Sequence, residues 1–498
     1  MPSQRPVAMT SRLHNTIMPA NFLFYDLETF GSDPRRTRIA QFAAVRTDAD
    51  LKLIEEPVSF FVQPADDLLP SPVATLITGI TPQHALREGV NEAEAFARIA
   101  EEMSRPETCT LGWNSLRFDD EFVRHGLFRN FYDPYEREWR GGNSRWDMLD
   151  VMRMAHALRP QGIDWPQRED GKGTSFKLEH LALANGVREG DAHEALSDVY
   201  ATLGMARKFR DAQPRLWDYA LKLRDKKFAA SLLDTIAMTP ALHVSQRYPA
   251  SRLCAAPVLP LARHPRFDNR IIVFDLDGDA DALLQLDAED IADRLYTPAA
   301  DLPTGEKRVP LKEVHLNRSP ALVAWSHLRE EDFVRLRIDR PAVEAVADQL
   351  RPHATQLAEK MRQIFGGERA HDKPDADASL YDGFIADGDK RRLAEVRATP
   401  PEHLDKREFG FKDPRLPELL FRYRARNWPG TLTQPEQRQW DAYRRQRLSV
   451  DGGLSEMTFE SYFHEIDALR AQHANDGSKQ ALLDHLQIWG NDLRVALS

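Results

Sequence analysis

Phe22–Thr29 reads FLFYDLET, an apolar run with two carboxylates, Asp26 and Glu28, at its far end. Its aromatic and aliphatic composition predicts a β-strand. On a strand, residues two apart point to the same face, so Asp26 and Glu28 project together. Two carboxylates held side by side are costly to bury unless a positive charge lies between them. A divalent cation with hard oxygen ligands meets that need. Around this stretch, Ala40–Arg46 (AQFAAVR), Val58–Gln63 (VSFFVQ) and Cys109–Trp113 also read as strands. Asn91–Met103, Phe176–Asn185 and His193–Phe209 have helical spacing. Strands mixed with helices in this way predict an α/β layered domain over residues 21–205.

Two further elements bring carboxylates. In Leu111–Asp120 (LGWNSLRFDD), a strand ending at Gly112 is expected to lead into a helix that begins with Asn114 and carries Asp119. Phe118 then faces the core while Asp119 faces a cleft. In Asp191–Asp198 (DAHEALSD), Asp191 and Glu194 have the spacing of a capping box, so a helix is expected to begin there. That places His193 in its first turn and Asp198 in its second. Five residues turn about 140° around a helix, so the pair converges only if His193 reaches in from the helix end.

A chain of 498 residues predicts about three domains. Residues 1–20 are polar, carry Arg5 and Arg12 without an apolar signal core, and read as a disordered leader. From 214 to 365, Pro257, Pro260 and Pro265 punctuate short apolar runs such as Arg270–Asp275, which predicts a smaller α+β unit. Residues 366–379 (GGERAHDKPDADAS) read as a linker. Beyond it, Gln434–Arg447, Thr458–His473 and Lys479–Leu497 carry apolar residues at helical spacing, so 380–498 reads as a helical domain. No apolar run approaches the roughly 18 residues of a membrane span. Two cysteines, Cys109 and Cys254, form no disulfide framework and favour a reducing, cytoplasmic setting. The net charge of −10 does not decide against a nucleic-acid partner, because a long chain can confine its basic residues to one groove. Ile271–Gly278 (IIVFDLDG) imitates a phosphatase nucleophile strand, but Asp279 stands where that family has Thr or Val.

Together, D-x-E on a first strand, N-x-x-x-F-D around Asp119 and H-x-x-x-x-D from His193 to Asp198 resemble the DEDD exonucleases of the histidine-containing subgroup, which have a ribonuclease-H-like fold. The segments FLFYDLETFG, QFAAVRTD, LITGITPQ, RFDDEF, RNFYDPY, NSRWDMLDVMR, SFKLEHLALANG and RYRARNWPGTL resemble the bacterial exodeoxyribonuclease I family, over almost the whole chain except roughly the first 20 residues. That resemblance implies a nuclease domain, an SH3-like domain and a helical C-terminal extension. It implies 3′→5′ hydrolysis of single-stranded DNA to 5′-mononucleotides by a monomer acting in DNA repair and recombination. It also implies two Mg²⁺ ions, with Mn²⁺ as a substitute: Asp26, Glu28 and Asp198 hold one, and Asp26 bridges to a second held by Asp119 directly or through water. His193 would deprotonate the attacking water.

Between Arg124 and Trp146, six aromatics alternate with five arginines, a pattern suited to stacking and charge-pairing an unpaired strand. By resemblance Arg124, Tyr135, Trp139, Arg153 and Lys177 are strand contacts, with Glu28 touching the substrate and Phe128 and Trp146 left to the core. Lys226, in the basic run Lys222, Arg224, Lys226 and Lys227, is taken as a further contact. Arg422, Arg424 and Arg426 read either as a solvated helix face or, from their alternate spacing, as one side of a groove. The family also implies a docking site for the acidic C-terminal tail of single-stranded-DNA-binding protein. A ribonuclease of the same fold and a DNA-binding scaffold without catalysis remain the competing readings.

Overall fold

The computed structural model describes residues 18–188, 190, 194–298, 300–367, 375–450 and 452–498. The expected leader lies mostly outside these residues, although Ala20 already donates its N–H to the Glu107 carbonyl at 3.1 Å.

FLFYDLET is the core of β1 (Asn21–Thr29), the middle strand of a five-stranded sheet. The others are β2 (Ile39–Asp48), β3 (Val58–Phe61), β4 (Thr108–Gly112) and β5 (Ser144–Asp147), in the order β3-β2-β1-β4-β5. β1 runs antiparallel to β2 and parallel to β4. Its alternate residues serve two different cores, as the two-residue period of a strand requires. Leu23, Tyr25 and Leu27 pack with Phe96 and Ile99 of α1 (Glu92–Ser104) and Phe122 and Val123 of α2 (Asp119–Arg129). Phe22 and Phe24 pack on the opposite face. Their core includes Met152 of α3 (Met148–Leu158), Leu181 of α4 (Leu178–Ala184) and Val199 and Leu203 of α5 (Ala195–Ala212). Asp26 and Glu28 continue the row of Phe22 and Phe24, so β1 delivers both carboxylates to the face that α5 covers.

Trp217, on α6 (Pro214–Lys222), packs edge-on against Trp146 at 4.9 Å and joins this core to a second sheet. That sheet is antiparallel throughout, in the order β10-β6-β7-β8-β9. Its strands are β6 (Ala241–Val244), β7 (Ala255–Arg263), β8 (Arg270–Asp275), β9 (Leu311–His315) and β10 (Ala321–Ala324). One face shares the core of the first sheet through Leu242, Val258, Val273 and Val314. The other buries Leu259, Ile272, Phe274 and Leu311 with α7 (Arg340–Leu350) and α8 (Ala354–Gly366).

The C-terminal part holds α9 (Leu416–Asn427), α10 (Gln434–Ser449), α11 (Phe459–Gln472) and α12 (Gly477–Ala496). Trp440 donates to Asp66 at 3.1 Å and Trp489 to the Leu68 carbonyl at 3.0 Å, so these helices close on the segment after β3.

Two expectations change. Asp375–Ser379, read as part of a linker, is packed: Ala376–Asp382 forms a 3₁₀ helix in which Asp377 is buried among arginines. Its polar composition serves ion pairing, not solvation. Arg422, Arg424 and Arg426 do not line a groove. They sit on α9, where alternate residues point about 200° apart. All three are buried, held by Asp375, Asp377, Glu418, Glu436 and Asp67.

Candidate active site

Asp26, Glu28 and Asp198 converge: each offers a carboxylate oxygen within 4.8 Å of those of the other two. β1 supplies the first pair and the first turn of α5 supplies the third. α5 begins at Ala195, capped by Glu194, whose carboxylate accepts the N–H groups of Leu196 and Ser197 at 3.4 and 2.8 Å. The helix thus starts later than the capping-box spacing suggested, because the cap residue is Glu194 itself. Asp198 consequently lies in the first turn instead of the second. Asp191 and His193 lie outside the described residues.

Asp119 reaches the same place from the other neighbour of β1. The chain leaves β4, turns at Asn114 in the left-handed region (φ 65°) and enters α2 at Asp119, the helix's first residue. The expected helix start at Asn114 is therefore a turn. Asp147, which the sequence reading passed over, holds that turn: it accepts the N–H groups of Asn114 at 3.0 Å and Leu116 at 3.2 Å while also capping α3 through Leu149. A strand-end Asp preceding a helical run was the available signal. Burial, then Asp150, pushes the Asp147 carboxyl up to about 7.

The electrostatics of the cluster follow from like charges under cover. Burial, then Asp119 and Asp198, raises Asp26 well above the carboxylate range. Burial, then Asp26 and Asp198, raises Glu28 from 4.5 to about 9. Asp119 is likewise raised, first by burial. Its neighbour Asp120 goes the other way, held low by Arg137 and Arg145 at 2.5 and 2.6 Å. Arg188 donates to Asp198 at 2.6 Å and brings positive charge to the edge of the cluster. An all-oxygen set that cannot stay ionised alone fits a hard divalent cation.

Along the expected strand path, Trp139 is 64% exposed and Lys177 and Lys226 are exposed. Tyr135 is half-buried and lies edge-on to Phe384 at 5.6 Å. Arg124 is buried: it donates to both oxygens of Glu138 at 2.7 and 3.0 Å and lies over the Tyr135 ring. Arg153 is also buried, donating to Asp150 at 3.0 Å and stacking over Phe176. Phe128 and Trp146 are core, as expected. Two exposed aromatics were not foreseen: Phe384, 85% exposed, lines one cleft with Tyr135 and Trp139, and Tyr381, 55% exposed, meets Arg124 and Glu121 through its hydroxyl. Two exposed aromatics in LYDGF were the available signal.

Residues 23–205 match the family model for Exonuclease, 224–367 that of the Exonuclease I SH3-like domain and 374–493 that of the Exonuclease I C-terminal domain. Exodeoxyribonuclease I of Escherichia coli K12 is 45% identical over 475 residues, covering 95% of this chain and 98% of that protein. The Haemophilus influenzae enzyme is 42% identical over 472 residues, covering 94% and 98%. Exonuclease I from Methylocaldum szegediense superposes with a TM-score of 0.91 at 47% identity, covering 95% of this chain and 99% of that one. E. coli exonuclease I in complex with a dA16 oligonucleotide gives 0.90 at 44%, covering 95% and 100%. The E. coli protein with single-stranded DNA has been solved in zinc-bound and metal-free forms. With three family models in sequence order and relatives matched nearly end to end, the chain belongs to the exodeoxyribonuclease I family.

Proposed function

We propose that this chain removes 5′-mononucleotides from the 3′ end of single-stranded DNA, in repair and recombination, using divalent cations, Mg²⁺ or in its place Mn²⁺. The observation that carries this reading is the meeting of Asp26, Glu28 and Asp198 within 4.8 Å beside Asp119. Asp26, Glu28 and Asp198 would hold one ion. Asp26, which feels both Asp119 and Asp198, would share a second with Asp119. Bound there, divalent ions neutralise charge on the phosphoryl oxygens and ease deprotonation of the attacking water. His193 takes the proton in this scheme, since an imidazole titrates near working pH. Asp147 fixes the turn that aims Asp119. Tyr135, Trp139, Tyr381 and Phe384 offer ring faces to unpaired bases, which makes binding sequence-tolerant.

Docking of the acidic tail of single-stranded-DNA-binding protein has a candidate place. A cleft of about 600 Å³ is lined by Leu216, Tyr219, Val323 and Leu328 and by Arg159, Arg215 and Arg329, of which Arg159 is paired with Asp332 and Arg329 with Glu331. Arginines among apolar side chains suit an acidic chain end. The enzyme acts as a monomer in this reading.

Matched 3′- and 5′-labelled DNA and RNA oligomers, with and without EDTA, test the proposal. Stepwise mononucleotide release from DNA 3′ ends, abolished by EDTA, is expected. Equal degradation of RNA, or cleavage in EDTA, contradicts it.

A further inference from the structure

The turn that follows β1 is gripped from the far end of the chain. Glu456, in the segment between α10 and α11, accepts the Ser32 N–H at 2.8 Å, the Ser32 hydroxyl at 2.8 Å and the Asp33 N–H at 3.1 Å. One carboxylate thus meets three donors of a single turn, and hydrogen bonds to an ionised acceptor are stronger than neutral ones. The fit is close: a Cβ at Gly31 would stand 2.4 Å from Glu456 Oε2. Arg447 of α10 ties the same two segments, donating to the Arg36 carbonyl at 2.6 Å and to the Leu454 carbonyl. The Arg36 guanidinium in turn lies against Gly453, where a Cβ would come within 3.0 Å of Nη2.

What the turn carries gives this grip a chemical consequence. Glu28 is the last residue of β1 in regular register with β2. It pairs with Gln41, whereas Thr29 pairs with Ile39, so the ladder slips between them. Such a slip bends a strand and re-aims its side chains. Beyond it, the strand end takes its place from the turn as well as from the ladder. The Thr29 hydroxyl donates to the Gly31 carbonyl at 2.7 Å, linking the residue after Glu28 to the residue before Ser32. Between them Phe30 is buried, its N–H donating to the Arg38 carbonyl at 2.9 Å and its carbonyl accepting the Ser71 N–H at 2.7 Å. A short hydrogen-bonded path therefore runs from Glu456 through Ser32, Gly31 and Thr29 to Glu28.

We propose that Glu456 is a positioning residue for the metal site, fixing the turn after Glu28 so that this carboxylate stays where Asp26 and Asp198 meet it. It acts through the turn, outside the carboxylates that converge. The C-terminal helices thereby take part in a site whose ligands all lie on the first sheet and its helices. The proposal rests on the metal-site reading above and extends it to a residue of the C-terminal part.

Calorimetric titration of Mn²⁺ into the wild type, Glu456→Ala and Glu456→Gln tests it. Glu456→Ala should bind the cation about tenfold more weakly, the low end of the range for groups that orient metal ligands. Glu456→Gln keeps an acceptor of the same reach and should recover part of that loss. In cleavage, the Mg²⁺ concentration giving half the maximal rate should rise by the same factor in Glu456→Ala, while the rate at saturating Mg²⁺ approaches that of the wild type. Binding of oligothymidylate in EDTA should be unchanged. Equal cation affinity in all three proteins would overturn the positioning role, and a lowered melting temperature with that affinity intact would mark a contact between domains alone. Should Glu456→Ala not fold, Glu456→Gln decides by the same criterion. A wild type that binds neither cation would overturn the metal-site reading, and the positioning role with it.

Discussion

Two groups of buried or half-buried carboxylates flank the nuclease sheet, and they have opposite fates. At the active site, Asp26, Glu28 and Asp119 are all driven up, first by burial and then by neighbouring carboxylates. At the junction with the C-terminal helices, Asp67 and Asp377 are fully buried and yet are held well below the carboxylate range. The difference is the sign of the neighbours. Arg426 reaches Asp67 at 2.9 Å and Asp377 at 2.5 Å, Arg422 reaches Asp377 at 3.1 Å, Arg447 reaches Asp67 at 3.3 Å, and Arg38 lies 3.6 Å from Asp377. Burial alone marks neither structure nor function. Burial with matched charge makes a rivet between domains, and burial with unmatched charge makes a socket for something positive. Asp119 and Asp120 repeat the contrast at adjacent positions.

Substitution separates the two groups. Asp26→Ala should lower the cleavage rate by roughly a thousandfold, since several kcal/mol of charge stabilisation go with the ion. Strand binding should remain largely intact, and single-turnover degradation alongside binding in EDTA reads both. Asp377→Ala should instead cost stability, about 3–5 kcal/mol for leaving buried arginines unpaired, measured by denaturant unfolding. A mild effect there would mean that the arginines find other partners.

The pH dependence of stability should also differ in sign. Glu28 has a folded value near 9 against an ordinary 4.5, so the folded, metal-free protein holds the extra proton. Its contribution is full below about 4.5 and is lost as pH rises toward 9. Melting of the EDTA-treated protein should therefore fall over that window, and Glu28→Gln should flatten the fall. Asp67 and Asp377, held low, contribute above the ordinary carboxylate value and lose that contribution as pH falls below it. Equal slopes for wild type and Glu28→Gln would contradict the like-charge account. The smallest effect should come from Phe384→Ala, which removes one ring face and costs roughly 1–3 kcal/mol of strand affinity without altering metal binding.

Much of this was legible in the chain because local rules govern it. Asp26 and Glu28 share a face by strand period, and the apolar spacing of Gln434–Arg447 fell within α10. What escaped depends on partners distant in sequence. The alternation in RYRAR suggested a groove, but a helix turns those arginines apart and Asp67, Asp375 and Asp377 bury them. The polar residues after Lys373 looked like a linker until Arg422 and Arg426 supplied their countercharge. Phe384 acquires meaning only where the fold sets it in one cleft with Tyr135 and Trp139. The start of α5 was misplaced because Asp191 and Glu194 fit a capping box, whereas Glu194 caps the helix on its own.

Isothermal titration of Mg²⁺ and Mn²⁺ into the wild-type protein and Asp26→Ala bears most directly on the socket. The wild type should bind either cation with release of protons from the raised carboxylates, and the variant should lose that binding while Asp377→Ala, if folded, retains it. Undiminished cation binding by Asp26→Ala would contradict the assignment of these carboxylates as the metal site.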